Sequence, residues 1–207
     1  MKLITQTQVT VDGVMQGNGG ASEDDRKSGF TRAGWAMGVG GPETLEFITT
    51  TYQNAEGFLF GRRTYDLFGT YWGAMAPCAH AIADALNTAP KYLVSNTVTK
   101  PHANWPDTTI FSGDAALDGI RALKEKPGGE LQVHGSGELI RWLLANGLVD
   151  EIQLIVVPAV IGQGTRLFPQ DGPDLGLELV ESRVDSKGVQ IAIYRPTGKP
   201  PHYAPAS

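Results

Sequence analysis

The sequence is poor in the residues that cross-link a chain or bind a metal. Its 207 residues include one cysteine, Cys78, and four scattered histidines. A single cysteine excludes an internal disulfide, and no group of His, Cys, Asp and Glu has the spacing of a metal site. A chain with so few cysteines is typical of a reducing compartment, so we expect a cytoplasmic protein. The missing spacing leads us to expect no metal centre.

Long apolar runs and an excess of positive charge are also absent. No run of 18 apolar residues occurs, and the opening residues, MKLITQTQVTVDGVM, alternate between apolar and polar, unlike a signal peptide. Lys and Arg number 17 against 22 Asp and Glu, giving a net charge of −5. We therefore expect no membrane span and no nucleic-acid surface, which would need clustered basic residues.

The pattern of the chain predicts a single α/β domain. Predicted strands alternate with predicted helices, which is typical of a mainly parallel sheet, and residues 177–194 form a hairpin that adds antiparallel strands. Residues 16–42 hold eight glycines and are too long for an ordinary connection, so we expect a functional or mobile loop. The domain covers residues 1–195, and the proline-containing tail, 196–207, is expected to be poorly ordered.

One strand-to-helix junction has the composition of an anion site. The predicted strand 131–134 enters a helix through Gly135, Ser136 and Gly137. The first N–H groups of a helix lack partners and carry partial positive charge, and glycines let a ligand approach the backbone. A tight turn that needs glycine for its dihedral angles explains the same residues equally well. Residue 140 is isoleucine, so the Rossmann fingerprint G-x-G-x-x-G is not met.

His134 and Ser136 are also the residue types of a serine hydrolase, in which a histidine activates a serine nucleophile. A nucleophile elbow requires glycine two positions before the serine, and this chain has His134 there. The spacing therefore disfavours a serine hydrolase.

A second junction carries two cations where a helix starts. Gly61, Arg62, Arg63 and Thr64 follow the predicted strand 56–60. Arginine at a helix N-terminus opposes the helix dipole, and a phosphate bound there would remove the conflict. A pair of solvated arginines is the alternative.

Polar residues that end another strand, and three acids, complete the candidates. Ser95 and Asn96 end the predicted strand 91–95 at the same sheet edge. Asp12, Glu43 and Glu46 are the candidates for acid–base chemistry. An Asp-Gly turn explains Asp12 without a function, and a first helical turn favours Glu43 for its charge alone.

Taken in order, these segments resemble the dihydrofolate reductase-like family, in the branch that includes the reductase domain of bacterial riboflavin biosynthesis. The resemblance covers nearly the whole chain. It rests on VDGVM at 11–15, Ala33-Gly34-Trp35, GRRTY at 61–65, KYLVSN at 91–96, VHGSGELIRWLLANGLVDEI at 133–152 and VPAVIGQGTRLF at 157–168.

The resemblance implies a three-layer fold with a sheet of about eight strands, and NADPH bound across its carboxyl edge. It matches Gly135, Ser136, Gly137 and Glu138 to the glycine loop at the cofactor pyrophosphate. It matches Gly61, Arg62, Arg63 and Thr64 to the arm that holds cofactor phosphates, and Ser95 with Asn96 to the adenosine-phosphate side. The segment 13–20 corresponds to the loop that covers the nicotinamide.

The expected activity is an NADPH-dependent reduction of a C=N or C=O bond in a small, heterocyclic, pterin-like or pyrimidine-like substrate. The reaction is expected to be similar to that of dihydrofolate reductase or of 5-amino-6-(5-phosphoribosylamino)uracil reductase. Asp12 and Glu43 are expected beside the substrate. This chain departs from the riboflavin branch at His134, where that branch usually has glutamate. A catalytically silent nucleotide-binding protein on the same fold is the alternative. The resemblance also implies a homodimer built through sheet edges.

Overall fold

The computed structural model describes residues 1–171, 174–198 and 200. Within these residues the strands are β1 (Lys2–Thr10), β2 (Ala55–Gly61), β3 (Lys91–Val94), β4 (Thr109–Phe111), β5 (Glu130–His134), β6 (Glu151–Val157), β7 (Gly176–Val184) and β8 (Gln190–Gly198). The helices are α1 (Glu23–Lys27), α2 (Pro42–Gln53), α3 (Arg62–Tyr71), α4 (Ala81–Thr88), α5 (Ala115–Glu125) and α6 (Gly137–Ala145).

All the strands join one sheet in the order β4-β3-β2-β5-β1-β6-β8-β7. The first six strands of this order run parallel, and β8 pairs antiparallel with both β6 and β7. The predicted α/β class, the eight-stranded and mostly parallel sheet, and the C-terminal antiparallel hairpin are therefore confirmed.

The sheet lies between two helical layers. One face packs with α5 and α6 in an aliphatic core that includes Leu3, Ile120 and Ile140. The other face packs with α2, α3 and α4 in an aromatic core that includes Phe58 and Trp105. Burial on both faces explains why the central strands carry apolar residues at successive positions, as in Phe58, Leu59 and Phe60.

Three details differ from the sequence-based expectation. The loop 16–42 contains the short helix α1, capped reciprocally by Ser22 and Asp25. This S-x-x-D pattern, a form of the capping box, was a readable signal for it. Helix α3 starts at Arg62, two residues before Thr64, where the sequence pattern predicts its start. Strand β8 continues to Gly198, past the predicted domain end at residue 195, and the predicted tail beyond it lies outside the described residues apart from residue 200.

The parallel arrangement brings the carboxyl ends of β1, β2, β3, β5 and β6 to one edge of the sheet. Every candidate cofactor residue follows one of these strands. This is the edge where open α/β sheets bind ligands. In the described part of the chain, no helix is long and apolar enough to span a membrane.

Candidate active site

Two helix N-termini meet at the carboxyl edge of the sheet. Helix α3 follows β2, helix α6 follows β5, and β2 and β5 are neighbours in the sheet. Gly61 N–H donates to Ser136 Oγ at 3.0 Å, and Ser136 N–H donates to Thr64 Oγ1 at 3.0 Å. Neither helix has a side-chain cap on its first N–H groups. The two junctions that the sequence presents separately therefore form one site, which we call the cradle (residues 61–64 and 135–138).

The backbone of the cradle explains its small residues. Gly135 has φ +59°, and Ser136 has φ 48° and ψ 47°, so two successive residues are left-handed. A Cβ on Gly135 would lie 3.3 Å from Thr64 Oγ1, and a Cβ on Gly137 would lie 2.5 Å from Met15 Sδ. Glycine thus serves both the tight turn and a close approach to the backbone. The uncapped N–H groups at the start of α6 then lie beside an open stretch of backbone, which suits an anion such as a phosphate.

The two arginines of the cradle have different surroundings. Arg63 donates to the buried Asp25 carboxylate, at 2.5 Å from Oδ1, and to Ser22 Oγ at 3.2 Å. Arg62 is 61% exposed, donates to Thr97 Oγ1 at 3.2 Å and lies 3.5 Å from Asp66 within its own helix. Arg63 therefore tethers the segment around α1 through a buried carboxylate, whereas both partners of Arg62 are exposed.

The remaining cofactor candidates contribute in different ways. Ser95 Oγ accepts from the N–H groups of Thr97 and Val98, and Asn96 Oδ1 accepts from Gly113 N–H at 2.8 Å, so both shape the loop after β3. Glu138 is exposed in the first turn of α6. Its carboxylate would repel a bound anion, so only its backbone N–H suits the cradle.

Asp12 is fully engaged in holding the loop that follows β6. Its carboxylate accepts from Thr10 Oγ1 at 2.5 Å, from Gly162 N–H at 2.8 Å and from Ile161 N–H at 3.2 Å. The Thr10 hydroxyl and these backbone groups lower the pKa of Asp12 to about 2, against the opposing effect of desolvation. Asp12 is thus ionised at neutral pH and is unsuited to donating a proton.

Glu43 and Glu46 are both exposed on α2. Glu43 Oε2 accepts from Ser186 Oγ at 2.9 Å, in the turn between β7 and β8. Its own backbone N–H, and then the Ser186 hydroxyl, lower the pKa of Glu43. The geometry directs this side chain to the hairpin surface, and the next residue, Thr44, is the buried one.

A cavity of about 200 Å³ lies under α2 near the carboxyl ends of β1 and β6. Its polar side chains are Gln8, Thr44 and Lys187, and its walls include Leu45, Ile48, Ile155, Val157 and Val189. Sequence reasoning missed this cavity, because its polar residues come from a strand, a helix and a hairpin turn far apart in the chain. The lysine in the turn carried no signal that related it to α2.

The segment after β1 connects the cradle with the cavity. Met15 lies against Gly137 in the cradle, and Asn18 Nδ2 donates to Gln8 Oε1 at 2.9 Å. Trp35 Nε1 donates to Gln16 O at 2.8 Å, and this bond links two parts of the loop 16–42. Because β1 separates β5 from β6, the cradle and the cavity are two strands apart, about 10 Å.

His134 is buried in the sheet and separate from the Ser136 hydroxyl. Its ring stacks on Tyr52, with ring centroids 3.9 Å apart, and desolvation lowers its pKa to about 3. Ser136 Oγ is held by Gly61 N–H. This arrangement lacks the serine–histidine pair of a hydrolase. No cluster of three or more His, Cys, Asp and Glu suited to a metal occurs in the residues that the structure describes.

Comparisons with known proteins agree with this architecture. The model of the RibD C-terminal domain family matches residues 1–191. An uncharacterized Bacillus subtilis (strain 168) protein, YyaP, is 28% identical over 202 residues, 95% of this chain and 96% of the relative.

Two solved structures share the fold. A candidate riboflavin biosynthesis protein of Shewanella sp. PV-4 has a TM-score of 0.70 at 22% identity, covering 95% of this chain and 99% of the other. Dihydrofolate reductase from Enterococcus faecalis, complexed with NADP(H), has a TM-score of 0.58 at 14% identity, covering 95% and 96%. With the family model matched over 191 residues, this chain belongs to the RibD C-terminal domain family.

Proposed function

We propose that this protein is an NADPH-dependent reductase that transfers a hydride to a C=N or C=O bond of a small heterocyclic substrate. The observation that carries the proposal is the cradle, where two uncapped helix N-termini meet and are joined through Ser136. The Enterococcus faecalis reductase of the same fold is complexed with NADP(H). When bound, the cofactor supplies the hydride, and the protein supplies its position.

The cradle holds the pyrophosphate in this proposal. The N–H groups of Gly137 and Glu138 face it from α6, and those of Arg62, Arg63 and Thr64 face it from α3. Helix N-termini favour an anion through both their free donors and their dipoles. Thr64 and Ser136 act on the ligand indirectly, because their hydroxyl oxygens accept the two bonds that lock the junctions together.

Arg62 is assigned to the 2′-phosphate that distinguishes NADPH from NADH. It lies beside the loop after β3, where Ser95 and Asn96 fix the backbone and Thr97 contacts its guanidinium. An exposed guanidinium suits a phosphate because it offers paired donors in a plane.

The acids predicted from the sequence receive structural roles in this proposal. Asp12 anchors the loop after β6, and Glu43 binds the hairpin turn through Ser186. The cavity under α2 receives the substrate, with Thr44 as the residue of the first helical turn that faces it.

Titration of the purified protein with NADPH and NADH, followed by cofactor fluorescence, tests the proposal. We expect saturable binding with preference for NADPH, which Arg62→Ala removes. Arg121→Ala is the matched control, since Arg121 is also exposed and also pairs within its own helix. Failure of both cofactors to bind at millimolar concentration would refute the proposal.

A silent nucleotide-binding protein remains the second candidate, favoured by one observation. Both predicted acids are engaged elsewhere, and no carboxylate lines the cavity among the described residues. Tight cofactor binding without NADPH oxidation across a panel of pterin, pyrimidine and carbonyl compounds would support it over the reductase.

The protein is further proposed to be a homodimer. Strand β7 is at the sheet edge and exposes Leu179 and Val184, which are 56% and 65% accessible. Exposed apolar residues on an edge strand are typical of an interface between copies of a chain. Light scattering after size exclusion should give twice the monomer mass of 22.1 kDa, and the monomer mass itself would contradict the proposal.

A further inference from the structure

The cavity under α2 offers hydrogen-bond donors more than acceptors. Gln8 Oε1 already accepts from Asn18, which leaves the Nε2 group of Gln8 available to donate. Lys187 Nζ contacts Gly38 O at 3.3 Å and keeps its other hydrogens available. The Thr44 hydroxyl donates to Asp185 Oδ2 at 2.7 Å, so it can only accept from a ligand. Two donors, one of them charged, therefore face the space against one acceptor.

The two carboxylates near Lys187 keep their negative charge, but they accept from other donors and neither of them lines the cavity. Asp185 accepts from the N–H groups of Gly41, Lys187 and Val189 and from the Thr44 hydroxyl, at 2.6–2.8 Å. Glu43 accepts from the Ser186 hydroxyl at 2.9 Å. Lys187 is consequently the charged side chain that lines the cavity.

The size of the cavity limits what can enter. Its volume of about 200 Å³ is below the range of about 300–1,000 Å³ typical of sites for drug-sized ligands. The aliphatic walls, from Ile48 on α2 to Ile155 on β6, suit the faces of a flat ring. A single ring fills this space, and a second fused ring would have to extend out of it.

We propose that Lys187 and Gln8 determine the specificity of this site by binding a carbonyl or anionic oxygen of a single-ring substrate. A cationic ring binds more weakly, because the side chains that line the cavity present an ammonium group and no carboxylate. The inference rests on the proposed function, since it takes the cavity as the substrate side of the cofactor cradle.

Three isosteric probes separate charge from shape: benzoate, benzamide and benzamidine are an anion, a neutral amide and a cation on the same ring. Their binding to the cofactor-free protein is measured by ligand-observed NMR at low ionic strength. We expect benzoate to bind roughly fivefold tighter than benzamide, as for an exposed ion pair, and benzamidine to bind weakest. The difference should shrink as salt is raised to about 0.5 M.

Variants of Lys187 locate the effect. Lys187→Met should abolish the preference for benzoate by weakening benzoate binding more than benzamide binding, whereas Lys187→Arg should retain the preference. Lys126→Met is the control, since Lys126 is exposed at the opposite edge of the sheet, at the end of α5. Benzamidine binding as tightly as benzoate, or a benzoate preference that survives in Lys187→Met, would overturn the inference.

A parallel NADPH titration distinguishes this inference from the proposed function. NADPH binding without binding of any of the three ring compounds would overturn the specificity inference and leave the cofactor proposal standing. Selective benzoate binding that depends on Lys187, in a protein that does not bind NADPH, would support the donor-lined site and overturn the reductase.

Discussion

Alanine substitution of Arg63 tests the finding that neighbouring arginines of the cradle have different roles. Arg63 donates to Asp25 Oδ1 at 2.5 Å, and the Asp25 side chain is only 4% exposed. Truncation leaves this carboxylate with three other donors, from Gln16 and from the amide and hydroxyl of Ser22. A hydrogen bond to a charged group contributes about 1.5–3 kcal/mol. Because Arg63 itself is half exposed, we expect the lower value, about 1.5 kcal/mol.

Urea denaturation measures this loss directly. The free energy of unfolding should fall by about 1.5 kcal/mol in Arg63→Ala and by less than about 0.5 kcal/mol in Arg62→Ala, whose partners are exposed. The order should reverse in cofactor titrations, where Arg62→Ala loses about tenfold in NADPH affinity and Arg63→Ala about twofold. An Arg63→Ala variant as stable as the wild type, or a larger loss of stability in Arg62→Ala, would refute the reasoning.

Further predictions address individual residues of the site. Gly135→Ala should lower the free energy of unfolding by about 1–2 kcal/mol in urea, because Gly135 has φ +59°. Asp185→Asn should cost about 2 kcal/mol in the same assay, since an amide cannot accept from all four surrounding donors. The folded-state pKa of Asp12, about 2, lies below its ordinary value of 3.8, so its stabilising effect is present above pH 3.8 and is lost as the pH falls toward 2. In Asp12→Asn the free energy of unfolding should therefore fall less steeply as the pH is lowered below about 4. Between about pH 5 and 8 it should follow a curve parallel to that of the wild type. Glu43→Gln should change turnover by no more than about twofold in a steady-state assay, because Glu43 faces Ser186, and a loss beyond about tenfold would identify it as a proton donor.

The elements and the two junctions could be predicted because their signals are local. Alternating or continuous apolar residues identify strands, and a glycine between a strand and a helix marks where the chain turns at the sheet edge. The parallel order then follows from strands that alternate with helices. That Gly61 and Gly135 lie at one edge was therefore available from the sequence.

The pairs of side chains that contact each other within the site could not be predicted from local sequence patterns. Asp25 and Arg63 are 38 residues apart, and their pairing depends on how α1 lies against α3, which the local capping pattern does not fix. The choice between Glu43 and Thr44 depends on the rotation of α2 against the sheet, which spacing alone does not fix. Asp185, which orients Thr44, lies 141 residues away along the chain.

The central claim is that the first turns of α3 and α6 together bind the cofactor pyrophosphate. Amide chemical shifts measured by NMR during NADPH titration test it most directly. We predict the largest shifts at the N–H groups of residues 62–64 and 137–138. Saturable NADPH binding that leaves these amides unchanged, or the absence of binding, would contradict the account.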